Sequence, residues 1–177
     1  MRLYLDQLIR IMAAAQWEDG YLFTFYSLPE RQPDQRWTNI AWIHEQYCMG
    51  HMYEAAVAHY QVTGERTFLD IATKNADLIC KVFNPDGRTD PPGHQEIEIG
   101  LCKLYRVTGD PKYLDQAKFF LDQRGRRGRR GPDGNGGLYG TYGQDHIPVV
   151  EQTEAVGHSV RAAYLYTGMA DVAALTG

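Results

Sequence analysis

Of the six imidazole side chains in this chain, which can both donate and accept hydrogen bonds, four fall in three motifs. His44 is followed by Cys48 and His51 at helical spacing, His94 lies within Gly93-His94-Gln95-Glu96-Ile97-Glu98, and His158 comes four residues after Glu154. His44, Cys48 and His51 fall on one helical face, and imidazole with sulfur is a donor set suited to zinc. Their spacing matches no strong zinc signature, however, and no second ligand pair follows nearby. A lining of polar side chains around a cleft, or hydrogen bonding within the core, is the alternative, and no metal is assigned. Glu154, one turn before His158 on a continuous helix, would orient that ring and fix its tautomer.

These groups need helices to position them. Residues 3–15 carry Leu5, Leu8, Ile9 and Met12 on one side, as an amphipathic helix does. Residues 20–40 are rich in aromatics and contain Pro29 and Pro33, which reads as a long packed loop. A helix over 44–63 follows, with His44, Cys48, His51, Ala55, Ala58 and Val62 on one stripe. That stripe predicts a polar head facing a cleft and a small apolar tail packed in the core. A second helix is expected at about 66–83, a third with His94 in its first turn, and a last one over about 150–174.

The helices repeat. Tyr60-Gln-Val-Thr-Gly-Glu-Arg-Thr-Phe-Leu-Asp-Ile-Ala72 aligns with Tyr105-Arg-Val-Thr-Gly-Asp-Pro-Lys-Tyr-Leu-Asp-Gln-Ala117 at an offset of 45 residues without a gap. Each copy is a helix closed by Thr-Gly, an acidic turn, and a helix opened by an aromatic-Leu-Asp triplet. One such unit cannot bury both apolar faces, so tandem copies build an α-solenoid or a closed αα-toroid. The fold class is therefore all-α. His44, His94 and His158 each fall near the start of a first-kind helix, and in a toroid those starts surround one central cleft. Leu175-Thr176-Gly177 closes a third first-kind helix, and the partner helix is due next. The reading is one truncated domain over 1–177, about three incomplete helical pairs. Its cut flank would expose Val160, Leu165 and Val172 and favour self-association.

Composition narrows the function. A net charge of −4 gives no general reason for a nucleic-acid or membrane partner. Arg124-Gly-Arg-Arg-Gly-Arg-Arg130 places five arginines within seven residues, and the surrounding 124–140 reads as a flexible Arg/Gly-rich loop. Arg-Gly segments bind single-stranded RNA in other proteins, but here the rest of the chain is acidic, and a solvated loop is the expectation. Cys48, Cys80 and Cys102 show no pairing pattern, no stretch is long enough to cross a bilayer, and the N-terminus carries no export signal. A cytoplasmic location is expected on those grounds.

Several motifs, taken together, resemble the β-L-arabinofuranosidase family, glycoside hydrolase family 127. They are Ala14-Ala-Gln-Trp-Glu-Asp-Gly20-Tyr-Leu, Arg36-Trp-Thr-Asn39, His44-Glu-Gln-Tyr-Cys48-Met-Gly-His51, Pro92-Gly-His-Gln-Glu-Ile-Glu98 and Glu151-Gln-Thr-Glu-Ala-Val-Gly-His158-Ser-Val-Arg-Ala. The resemblance implies a partial (α/α)6 toroid and retaining hydrolysis of β-L-arabinofuranosides. It implies a cysteine nucleophile held on zinc with other cysteines and a glutamate, and a separate acid/base glutamate. Those motifs lie beyond Gly177 in the family's order, and Cys48, Cys80 and Cys102 match none of them. No catalytic residue and no cofactor is thus expected in this chain, with zinc belonging to the complete domain. What the resemblance assigns here is sugar contact by His44, His94 and His158, with an L-arabinofuranoside as partner. A stand-alone carbohydrate- or protein-binding helical module and an Arg-Gly nucleic-acid binder are the alternatives.

Overall fold

The computed structural model describes residues 2–28, 33–126 and 139–177. Its helices are α1 (Arg2–Ala15), α2 (Thr24–Ser27), α3 (Glu45–Thr63), α4 (Thr67–Val82), α5 (Ile97–Thr108), α6 (Pro111–Gln123) and α7 (Ser159–Thr176). Single 3-10 turns lie at Pro33–Gln35 and Val149–Glu151, and Phe83 and Arg88 form an isolated β-bridge. α3, α5 and α7 pack side by side as an inner row, and α1, α4 and α6 form an outer row. α3 pairs with α4 and α5 with α6, so the molecule is part of an (α/α) toroid. No described helix is long and apolar enough to cross a membrane.

The repeat seen in the sequence is a repeat of hydrogen bonds. Gly64 and Gly109 both adopt left-handed backbone, with φ of 72° and 73°, and donate back to the carbonyls of Tyr60 and Tyr105. The threonine before each glycine, Thr63 or Thr108, donates its hydroxyl to the carbonyl four residues earlier and accepts from the amide two residues later. Phe68-Leu69 and Tyr113-Leu114 then bury their side chains between the layers. Asp110 caps α6 by accepting from the Lys112 amide, with Pro111 in the first turn. Thr176 and Gly177 repeat the closure on α7.

Within the inner row the helices cross on small residues. A Cβ built on Gly100 would stand 2.6 Å from the Gly50 carbonyl oxygen, so α3 and α5 meet backbone to backbone. The aromatic segment after α1 is packed as expected. Tyr21 donates its hydroxyl to Glu45 Oε1 at 2.6 Å, and the Trp37 amide donates to the same carboxylate at 3.2 Å. Tyr21, Trp37 and Phe83 stack edge to face in sequence, with centroids 5.2 and 5.3 Å apart.

Four expectations need correction. Ala55, Ala58 and Val62, assigned to the core, lie exposed on the inner face of α3, Val62 at 85%. The helix buries instead Met49, Gly50, Tyr53, Ala56 and Val57, which face α4 and α5. α5 begins at Ile97, so His94 precedes the helix. The last helix begins at Ser159, because Gln144 and Gln152 hold residues 144–158 in an irregular path that ends in Gly157 at φ +78°. Leu165 and Val172 are buried, and of the three residues assigned to an open flank only Val160 is exposed. Residues 127–138 of the Arg/Gly-rich loop lie outside the described residues.

Candidate binding pocket

The three histidines come together at the N-terminal ends of the inner helices. His44 stands at the N-cap position of α3 without a side-chain capping bond, His94 sits three residues ahead of Ile97, and His158 caps α7 with its side chain. The rings of His44 and His94 are 5.7 Å apart. Tyr47, one turn into α3, occupies the middle of the cluster: its ring lies 4.5 Å from His94, 4.5 Å from His51, 5.6 Å from His44 and 5.7 Å from Tyr164 of α7. Tyr142 packs on the ring of His158 at 5.2 Å. His44, His158 and Arg161 all lie near enough to bear on the charge of His94.

The connections 84–96 and 124–158, not the helices, set the positions of His94 and His158. Pro91, Pro92 and Gly93 each give their carbonyl to a side chain from elsewhere: Tyr139 Oη at 3.0 Å, Arg124 at 2.6 Å, and Arg161. Gln95 donates to the Gly143 carbonyl at 2.8 Å and to Gln144 Oε1 at 3.0 Å. Gln144 in turn donates to the carbonyls of Val156 and His158, which suspends the second connection from the first. Arg124, read from the sequence as the first arginine of a solvated basic run, is 0% exposed and donates also to Gly143. It faces the buried Glu98, whose carboxyl burial raises and the guanidinium pulls back.

His94 Nδ1 is 2.8 Å from its neighbour's carbonyl, Gln95 O. A carbonyl only accepts, so Nδ1 carries the proton and Nε2 is left as an acceptor. Burial first, then Arg161 and the other two histidines, push the imidazole down to about 4 against that bond, so His94 is neutral at neutral pH.

Glu96 was not singled out in the sequence. Its side chain is fully buried in the space that Gly50 leaves on α3, where any Cβ would collide with it. Neither oxygen accepts a hydrogen bond from a neighbouring N–H or O–H. Burial, then the bond and charge of Glu54 and the charge of Glu98, raise the carboxyl to about 10, with Lys103 opposing. Glu54 is also lifted by burial, but its ion pair with Lys103 and its bond to Glu96 outweigh that and keep it ionised. At neutral pH the pair is thus one acid and one carboxylate, the acid proton of Glu96 shared toward Glu54. The one signal for Glu96 was Glu96 and Glu98 alternating with Ile97 and Ile99, two acids intruding on an apolar helix start.

Glu154, expected to orient His158, is exposed in the irregular segment, and His158 Nδ1 accepts from the Arg161 amide at 3.4 Å. Beyond Tyr164 and Glu54 an open groove of about 530 Å³ runs between α3, α5 and α7 past Ile99, Lys103, Val160 and Asp171. That volume accommodates a small ligand.

Among the described residues, two groups of side chains have donors close enough to share a cation: His51 with Glu54 and Glu96, and Asp6 with His59 and Glu65. In the first, Lys103 already neutralises Glu54. Neither contains a cysteine. Cys48 is exposed, with burial of its thiol and the charge of Glu96 raising it, while burial pushes Cys80 and Cys102 up to about 12. The thiol donors present among the described residues therefore do not fit a zinc-thiolate centre.

A profile of the β-L-arabinofuranosidase, GH127 catalytic domain matches residues 1–177. The chain is 38% identical over 188 aligned residues to a non-reducing end β-L-arabinofuranosidase of Bifidobacterium longum subsp. longum, covering 97% of this chain and 29% of that protein. The solved structure of a GH127 β-L-arabinofuranosidase from Geobacillus stearothermophilus T6 superposes with a TM-score of 0.90 at 44% identity, over 99% of this chain and 29% of the other. A second GH127 β-arabinofuranosidase structure does so with a TM-score of 0.83 at 50% identity, over 98% and 27%. The chain thus spans less than a third of the length of these relatives.

Proposed function

The chain belongs to the GH127 β-L-arabinofuranosidase family, and from that premise we propose that it forms the sugar-binding part of a retaining hydrolase of β-L-arabinofuranosides. The supporting observation is the convergence of His44, His94 and His158 on the starts of three neighbouring inner helices, beside the neutral acid Glu96. In this reading the three imidazoles divide the hydroxyls of one furanose. Neutral His94 accepts a hydrogen bond from one hydroxyl, while Glu96, its proton turned toward Glu54, stays buried behind the imidazoles. Tyr47 and Tyr164 wall the site with their rings.

The nucleophile, its zinc and the acid/base belong to the complete domain, so this chain binds without hydrolysing. Its free thiols suit a reducing, cytoplasmic setting. Apolar surface available for self-association lies on α1, at Leu3, Tyr4 and Ile11. Titration of the isotope-labelled chain with L-arabinose should shift the ring resonances of His44, His94 and His158 together, at millimolar sugar, with no release of arabinose from a β-L-arabinofuranoside. Ring resonances that stay unmoved at saturating sugar, in a folded chain, would sink the reading.

A further inference from the structure

Arg161 touches both connections that carry pocket histidines. It is buried on the first turn of α7, and its guanidinium donates to the carbonyl of Gly93, the residue before His94. The same guanidinium lies 5.0 Å from the centre of the Tyr142 ring, the ring that packs on His158. Its backbone amide points at His158 Nδ1. An amide only donates, so His158 Nδ1 is the acceptor and its proton sits on Nε2. His94 has the reverse arrangement, with the proton on Nδ1. Two histidines of one pocket therefore carry opposite tautomers, and one residue braces the two backbones that impose them.

We propose that Arg161 is a positioning residue that sets the hydrogen-bond polarity of the pocket, holding His158 as an Nε2–H donor and His94 as an Nε2 acceptor. The ligand class this fits is a polyol with two hydroxyls of opposite role, one donating to His94 and the other accepting from His158. The identity of the polyol as a sugar rests on the function proposed above; the tautomers do not. No backbone hydrogen bond among the described residues ties 91–95 to the rest of the chain. The bracing of His94 therefore falls to the side chains of Arg161, Arg124, Tyr139 and Gln95. The bracing of His158 differs, because any residue other than proline at 161 keeps the amide that faces Nδ1. Losing the guanidinium should accordingly release His94 and spare His158.

The test is nitrogen-15 ring spectroscopy of the sugar-free chain, which reports the protonated nitrogen of each imidazole. The wild type is expected to show His94 protonated on Nδ1 and His158 on Nε2. In Arg161→Met, His158 should keep its tautomer. His94 should average between the two forms and titrate higher than in the wild type, because a nearby cation is gone. Arg161→Lys, which retains a cationic donor, should restore the His94 tautomer. A merely structural role would lower the melting temperature without separating the two histidines. A folded Arg161→Met whose His94 keeps the wild-type tautomer and titration overturns the proposal. If that variant does not fold, the wild-type spectrum still decides, since the same tautomer on both rings also overturns it. No sugar enters these measurements, so failure here and failure to bind arabinose are seen separately.

Discussion

The two ends of the inner helices are built on different rules. At their C-terminal ends, Thr63-Gly64 and Thr108-Gly109 close α3 and α5 with the same short-range bonds, each spanning two to four residues. At their N-terminal ends the connections 84–96 and 124–158 share no repeat, and their conformation is fixed by side chains far away in sequence: Arg124 on Pro92, Arg161 on Gly93, Gln95 on Gly143. The end with local grammar joins the helix pairs. The end without it holds the histidines, and it is there that buried charge accumulates.

The sharpest way to break this contrast is at Arg124. Replacing it with methionine leaves the buried carbonyls of Pro92 and Gly143 without their donor. Each buried carbonyl left without its donor costs about 1–3 kcal/mol. The urea midpoint of Arg124→Met should fall accordingly. A loss no larger than that of a surface arginine would show that the pocket end is as locally determined as the other.

Glu96 sharpens the contrast in the opposite direction. Its carboxyl is raised to about 10 in the folded chain against an ordinary value of 4.5, so the folded state holds a proton that the unfolded chain releases in between. The group's contribution is fully present below pH 4.5 and declines as pH rises toward 10. Glu96→Gln, which cannot ionise, should remove that decline and stabilise the chain at pH 7 by up to about 3 kcal/mol. Stability curves against pH for the two proteins should diverge above 4.5 and meet below it. Parallel curves would mean that Glu96 is not held as the acid.

The smallest effect belongs to the repeating end. Alanine at Gly64 or Gly109 would meet no neighbouring atom, so only the left-handed backbone resists it. Each substitution should cost about 1 kcal/mol, and the two should agree within experimental error. Unequal costs would reveal a tertiary role at one turn that its geometry does not show.

This division also accounts for what could be read from the residues alone. The Thr-Gly closures, the aromatic-Leu pairs and the alternation of inner and outer helices were legible because their causes lie within a few residues. The packed segment around Tyr21 and Trp37 was legible from its aromatics, though its anchor, Glu45, was not. The start of α7 was misplaced by nine residues, because the glutamines that hold 144–158 off the helical path act across the chain. Arg124 was taken for part of a solvated run, since nothing near it in sequence reveals the two carbonyls it serves. The histidines were found by type and position, and Glu96 escaped notice because the space that shelters it is made by a glycine 46 positions earlier.

Gly50 carries a further consequence for how such a chain can vary. The one missing side chain serves two neighbours at once, giving Glu96 its berth and lying beneath the contact made by Gly100. A methyl group there would push the acid toward solvent and wedge α3 from α5 in the same step. No single compensating change answers both, since enlarging the berth would call for a shorter residue at 96 and relieving the wedge for a different crossing of two helices. Drift at this position is therefore closed from two sides, and the chemistry of the pocket and the curvature of the helical row are inherited together.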